Sequence, residues 1–266
     1  MIKLALKILL LVAIRSFSTS IHSYVGRDEI PAPPRSEVHA LIEFCHILNC
    51  EENLKWNLSQ DDDPCRDGWE GIKCSTDGKT KTHIHYVDIG GKGLKGPLHE
   101  ALSVLQALPY LQFLAVYDNH LTGSIPNLLL PRLKLFRIDD NELLMGTLPL
   151  GLEGYKSLEY FDAHSTNITG SLPVAIGALS HLENLYLFNC SFTGTLPREL
   201  GQLPKLQNLR LDNNILTGEI PSWGALEGLD KLDEEINHLQ LMQSIEYIDL
   251  NNNRLTGTIP KTLGTL

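Results

Sequence analysis

The stretch Leu182-Glu183-Asn184-Leu185-Tyr186-Leu187-Phe188-Asn189-Cys190-Ser191-Phe192-Thr193-Gly194-Thr195-Leu196-Pro197 is followed by Leu206-Gln207-Asn208-Leu209-Arg210-Leu211-Asp212-Asn213-Asn214-Ile215-Leu216-Thr217-Gly218-Glu219-Ile220-Pro221. The two share one frame, LxxLxLxx(N/C)x(L/F)TGx(I/L)P, with a period of 24 residues measured from Cys190 to Asn214. A fixed period in the twenties indicates a solenoid, in which each unit buries its apolar face only by stacking on its neighbours. Alternation places Leu185 and Leu187 on the inner face of a short strand, with Tyr186 and Phe188 on the outer one. The Asn/Cys slot follows, where a buried side-chain amide would pair backbone groups left over as the chain turns off the strand. Cys190 fills that slot as a weaker donor and reads as a buried structural thiol.

The same frame recurs towards both ends of the chain. Strand cores fall at Val87/Ile89, Leu114/Val116, Phe136/Ile138, Phe161/Ala163, Leu185/Leu187, Leu209/Leu211 and Ile248/Leu250, which predicts seven strands in register. The slot reads Lys92, Asn119, Asn141, Thr166, Cys190, Asn214 and Asn253, so it is interrupted at Lys92 and Thr166. Two irregularities break the period. Leu143-Leu144-Met145-Gly146 carries an extra residue, which predicts a small bulge. From Asn214 to Asn253 the spacing is 39 residues, and the excess contains Leu226, Leu229, Leu232, Ile236 and Leu239 at helical intervals. That spacing predicts an inserted amphipathic helix near 223–242 on the convex side, with an acidic, solvated face.

The repeats belong to the LTGxIP type, and in this they resemble the plant-type leucine-rich repeat of receptor-like proteins and receptor-like kinases. The segment before them supports the resemblance: Trp56-Asn57, then Asp63-Pro64-Cys65, then Trp69-Glu70-Gly71-Ile72-Lys73-Cys74 resembles the N-terminal cap of those receptors. The family's CxW is two residues longer here, as Cys65-Arg66-Asp67-Gly68-Trp69. The resemblance runs from about Glu37 to Leu266. It implies a right-handed superhelix with a concave parallel β-sheet, an α/β repeat solenoid, and a Cys65–Cys74 disulfide in the cap. Cys45 and Cys50, at the end of a helix expected over Ser36–His46 with Ser36 as its N-cap, either pair with each other or remain reduced.

The expected organisation is therefore a signal peptide over 1–23, an extended lead-in over 24–35, a cap over 36–80 and about seven repeats over 81–266. Lys3 and Lys7 ahead of the apolar run Ile8–Ile14 have the layout of a signal peptide, and that run is too short for a membrane span. Export together with five cysteines points to an oxidising compartment, secreted or on the outer face of the plasma membrane. If the chain is exported, Asn57, Asn167 and Asn189 are N-glycosylation acceptors. The chain ends within a repeat at Leu266, which predicts either a fragment, tethered to a membrane only through a missing C-terminal segment, or an end covered by something else.

A formal net charge of -10 and a pI near 5.4 argue against nucleic acid or an anionic membrane as partner. No nucleophile elbow, Walker or metalloprotease motif is present, so an enzyme is not expected, and neither is a cofactor. His83 and His85 share a strand face but read as a wet strand edge rather than a metal site, and no metal is expected. The concave columns are more informative. Phe113, Tyr117, Tyr160, His164, Tyr186 and Phe188, with Arg137, Asp162 and Arg210 among them, form an aromatic and charged strip suited to a protein or peptide ligand. The resemblance implies a receptor ectodomain in signalling or defence that senses such a ligand and signals through a co-receptor. The alternative is a soluble secreted binder similar to polygalacturonase-inhibiting proteins, which share this repeat.

Overall fold

The computed structural model describes residues 31–56, 58, 63–76, 81–223, 244–260 and 263. The expected signal peptide, Asn57 and the expected helix near 223–242, apart from Trp223, lie outside the described residues.

The alternating triplets form one sheet. Its strands are β1 (Ile72–Thr76), β2 (Thr82–Asp88), β4 (Phe113–Ala115), β6 (Leu135–Arg137), β8 (Tyr160–Asp162), β10 (Asn184–Tyr186), β12 (Asn208–Arg210) and β14 (Tyr247–Asp249), in that spatial order. From β2 onward every pair is parallel, so Tyr86, Phe113, Leu135, Tyr160, Asn184, Asn208 and Tyr247 stand in one column. These are the seven strands the alternation predicts. The cap adds an eighth, because β1 pairs antiparallel with β2 and closes the end of the sheet. Inner residues such as Leu114, Phe136, Leu185 and Leu209 enter a continuous core. Each fully buried leucine stabilises the stack by roughly 1.5–3 kcal/mol of apolar burial.

Behind the main sheet lies a second row of short strands that the alternation did not announce. β3 (Lys95–Pro97) pairs with β5 (His120–Thr122), β7 (Met145–Thr147) with β9 (Asn167–Gly170), β9 with β11 (Ser191–Phe192), and β13 (Thr217–Glu219) with β15 (Arg254–Thr256). The glycine of the TG pair makes this row possible. Gly170 has φ 83, and a Cβ there would lie 2.7 Å from Thr147 Cγ2, so both conformation and space require glycine. The extra residue of the third repeat is taken up at Glu142–Leu143, where the Leu144 N–H returns to the Asn141 carbonyl and Leu143 faces solvent.

The slot residues work as amides between coils. Asn119 Oδ1 accepts from Lys92 and Leu94 N–H at 3.1 and 2.9 Å, and its Nδ2 donates to the Ile89, Val116 and Tyr117 carbonyls. Asn141, Asn214 and Asn253 repeat this pattern, each reaching one coil back. Thr166 and Cys190 are reduced versions that both donate to the Ala163 carbonyl. Lys92 turns its ammonium outward to Glu70, so the first coil is served only by Asn119. One residue before each slot the backbone is left-handed, with Asp118, Asp140, Ser165, Asn189, Asn213 and Asn252 all at φ between 51 and 55. Asn and Asp tolerate that region best among residues with a side chain.

The cap closes the open core. Helix α1 (Arg35–Ile47) starts one residue earlier than expected, with Pro34 as N-cap and no side-chain cap, so Ser36 does not play that role. Pro34 supplies a fixed φ there, and its carbonyl accepts from Glu37 and Val38 N–H. Cys45–Cys50 and Cys65–Cys74 are both disulfide-bonded, the first across the end of α1. Trp56 and Trp69 stack at 5.0 Å, and Trp56 Nε1 donates to the Glu70 carbonyl. Glu37 is buried, its carboxyl accepting from Ile84 N–H at 2.8 Å and pairing with His83. His83 and His85 are correspondingly only 7 % and 8 % exposed, which replaces the expected wet edge. His83 is wedged between Glu37 and the Tyr110 ring, 3.9 Å away.

Candidate functional site

The outer face of the main sheet carries three columns. The first is the row headed by Tyr86 and Phe113 given above. The second runs Asp88, Ala115, Arg137, Asp162, Tyr186, Arg210 and Asp249. The third runs through Tyr117, Asp139, His164, Phe188, Asp212 and Asn251, held in register by backbone bonds such as Asp118 N–H to the Asp139 carbonyl and Asp140 N–H to the His164 carbonyl. All nine candidate residues, Phe113, Tyr117, Arg137, Tyr160, Asp162, His164, Tyr186, Phe188 and Arg210, therefore lie on one surface.

They are less exposed than outward-facing residues of an isolated strand. Parallel strands sit about 4.8 Å apart, closer than the width of an aromatic side chain. Adjacent rings must therefore stack. Phe113, Ala115, Leu135 and Tyr160 form a second apolar cluster, flanked by Tyr86, Tyr117 and Tyr186. Tyr86 stacks on Phe113 at 4.1 Å and Tyr160 meets Tyr186 edge-on at 5.5 Å. Tyr117, His164, Tyr186, Phe188 and Arg210 stay half-buried, while Phe113, Arg137, Tyr160 and Asp162 are buried.

Charge on this face is organised by pairs two residues apart on one strand. Tyr86, Tyr160 and Tyr247 donate their hydroxyls to Asp88, Asp162 and Asp249 at 3.1, 3.1 and 3.2 Å. Arg137 and Arg210 donate two bonds each to Asp139 and Asp212. At the centre, Arg137, Asp139, Asp162 and His164 form one network, with His164 Nδ1 2.7 Å from Asp162 Oδ1 and 3.9 Å from Asp139 Oδ2. Burial and the neighbouring Asp162 charge push Asp139 up to about 7 against the pull of Arg137. Burial pulls the His164 imidazole down, but its bond to Asp162 and the charges of Asp139 and Asp140 outweigh that and leave it raised. Burial, then Asp162, pushes Tyr186 up to about 12. Ligand atoms of Asp139, Asp162 and His164 lie within 4.8 Å of one another, as metal ligands would. Both Asp139 oxygens are already held by Arg137, and His164 Nδ1 is engaged with Asp162, so the constellation is a closed ion-pair network.

A family model described as Leucine Rich Repeat matches residues 181–203, 205–225 and 244–266. The chain has the leucine-rich repeat fold. Over 131 residues it is 30% identical to a probable inactive receptor kinase of Arabidopsis thaliana, a match covering 48% of this chain and 19% of that protein. The chain thus spans about a fifth of that relative's length. Among solved structures it resembles the leucine-rich repeat ectodomain of the membrane receptor kinase GASSHO1/SCHENGEN3 from Arabidopsis thaliana, determined in complex with CASPARIAN STRIP INTEGRITY FACTOR 2. That likeness has a TM-score of 0.62 at 25% identity and covers 86% of this chain and 31% of the other. It shares its fold with the Arabidopsis receptor kinase HAESA, solved with the peptide hormone IDA and the co-receptor SERK1, at TM-score 0.57 and 23% identity over 86% of this chain and 44% of that one.

Several residues of this leucine-rich repeat face were not singled out from sequence. They are Tyr86 and Asp88 of the first repeat, together with Asp139, Asp212 and Asp249 on the outward face. The Tyr-x-Asp and Arg-x-Asp spacing, repeated at five strands, was the available signal. Asn167 and Asn189, two of the three expected glycan acceptors, are exposed at the repeat edges. Asn167 Nδ2 donates to the Glu142 carbonyl and Asn189 Nδ2 to Ser165 Oγ, bonds a glycan would replace. Cys190 stays a free thiol, pushed up by burial, as its slot demands.

Proposed function

We propose that this chain is the ligand-sensing part of an extracellular leucine-rich repeat receptor, recognising a peptide across the concave face at Tyr117, His164, Tyr186, Phe188 and Arg210. One observation carries the reading: the outer face of the sheet holds a continuous run of half-buried aromatic rings interleaved with fixed charges. Rings held in place by their neighbours offer large contact area at little entropic cost on binding. The site is a recognition surface rather than a catalytic one, because its carboxylates and its imidazole are engaged with fixed partners. Two disulfides support an oxidising, extracellular setting. Likeness to receptor ectodomains solved with bound ligands supports the class of partner, and the HAESA complex supports a co-receptor as a second one.

The test is to secrete the chain, select binders from a random peptide library, and measure their affinity by biolayer interferometry. Tyr186→Ala and Phe188→Ala should each weaken binding at least about tenfold, since buried aromatic anchors dominate such interfaces. Thr122→Ala and Thr147→Ala, on the exposed second row, should leave it unchanged. Loss confined to the threonine variants would refute the concave reading.

A further inference from the structure

In the second row of strands, the residue ahead of each glycine is polar and exposed in every coil but one. Lys95, Thr122, Thr169, Thr193, Thr217 and Thr256 hold that position, whereas the third coil places Met145 there. Met145 is 56 % exposed, and the extra residue of the same coil leaves Leu143 49 % exposed two positions earlier. Exposed apolar side chains that are grouped rather than scattered call for a cover.

The neighbouring coil supplies an attachment point for one. In the parallel pairing of β7 with β9, Asn167 is the Cα partner of Met145. Ile168, the next residue, is fully buried, so Asn167 and Thr169 point outward on either side of it. Asn167 Nδ2 lies 2.6 Å from the carbonyl oxygen of Glu142, the residue before Leu143. The acceptor nitrogen of the triplet Asn167-Ile168-Thr169 therefore starts beside both exposed apolar residues. Of the two acceptor asparagines among the described residues, Asn167 is the one that lies in a second-row strand.

Resting on the reading that the chain works outside the cell, we propose that Asn167 carries an N-linked glycan whose first sugar lies over Leu143 and Met145 and covers them. Transfer from a lipid-pyrophosphate-linked oligosaccharide forms a bond from Asn167 Nδ2 to the anomeric carbon. It breaks that carbon's bond to the pyrophosphate oxygen and releases the lipid pyrophosphate together with one Nδ2 proton. The C–H face of the sugar ring and the methyl of its acetamido group are apolar, so they remove Leu143 and Met145 from water while the hydroxyls stay wet. The apolar exception in the third coil and the acceptor triplet in the fourth are then one device. Peptide recognition at Tyr186 and Phe188 is left free, because the glycan stands on the second row and not on the outer face of the main sheet.

The experiment expresses the full chain in mammalian cells grown with a mannosidase inhibitor, maps glycopeptides by mass spectrometry, and trims each glycan to its first sugar with an endoglycosidase. Dilute hydrogen peroxide then oxidises the native protein, and the rate at Met145 is read on its peptide. Thr169→Ala and Asn167→Gln both abolish the attachment, and a thermal melt matching the parent identifies the folded one to compare. Asn167 should be occupied, and Met145 should oxidise at least about threefold more slowly in the trimmed parent than in the sugarless variant, since thioether oxidation follows exposure. Occupied Asn167 with equal oxidation rates would overturn the cover. A secreted chain with both disulfides formed and Asn167 bare would overturn the proposal and leave the extracellular reading standing. A chain kept in the cytosol with all five cysteines reduced overturns that reading and this proposal with it.

Discussion

Replacing Asn141 by alanine isolates what ties one coil to the next. Its side chain is fully buried, with Oδ1 accepting from Leu121 N–H at 3.1 Å and Nδ2 donating to the Val116, Ile138 and Asp139 carbonyls at 3.0, 3.0 and 3.2 Å. Val116 O keeps a bond from Asn119 Nδ2, and Asp139 O keeps one from Asp118 N–H. The groups left bare are the Leu121 N–H and the Ile138 carbonyl. A buried polar group without a partner costs about 1–3 kcal/mol, so with two such groups Asn141→Ala should destabilise by roughly 2–6 kcal/mol. Thr166→Val is the control. The Thr166 hydroxyl donates to the Ala163 carbonyl, which also accepts from Cys190 Sγ, so no backbone group is orphaned. That variant should cost less than about 1 kcal/mol, the net worth of one ordinary hydrogen bond. Equilibrium urea unfolding of the secreted chain, followed by far-ultraviolet circular dichroism with the disulfides intact, compares the two at a common slope. The reasoning fails if Asn141→Ala unfolds within about 0.5 kcal/mol of the parent, or if Thr166→Val costs as much.

The central network should make stability depend on pH. Asp139 and His164 both bind protons more tightly folded than unfolded, so their contribution is complete at low pH and is lost as pH rises through the folded values, for Asp139 about 7. Between pH 4 and 7 the Asp139 proton should make stability fall by on the order of 1 kcal/mol per pH unit, the His164 contribution being lost only above its ordinary 6.5, and Asp139→Asn, read by thermal melts, should flatten the slope between pH 4 and 6. Burial pushes the Cys190 thiol up, so the native chain should react with a thiol reagent far more slowly than the urea-unfolded one. A Cβ at Gly154 would lie 1.7 Å from the Leu128 carbonyl oxygen, so Gly154→Ala should cost about 1–3 kcal/mol or more in the same urea assay. Removing the Cys65–Cys74 bridge as the double serine variant reopens a loop of sequence separation 9 and should cost about 2–3 kcal/mol.

How far the sequence could be read depended on whether a residue's fate is decided within its own repeat or across repeats. Strand register and the amide slot are repeat-internal: Leu185 and Leu187 alternate with Tyr186, and Asn214 sits at a fixed offset, so a single frame places them all. The second row of strands is internal too, but its segments of two to four residues are too short for alternation to register. His83 was misplaced because its burial depends on Glu37, a residue 46 positions away whose approach no local pattern encodes. The concave face shows the same rule in quantity. Within one repeat Phe113 and Tyr160 point outward, and nothing more follows. Read across the sheet, Tyr86, Phe113, Leu135 and Tyr160 are consecutive in one column at a spacing narrower than their side chains, so they must pack on each other and bury. The column then turns to Asn184 and Asn208, whose small side chains bond one another and leave Tyr186 in the next column half-open. Exposure on this face is therefore a property of columns, and the open positions fall where the run of large residues stops, at Tyr186 and Phe188 in the middle.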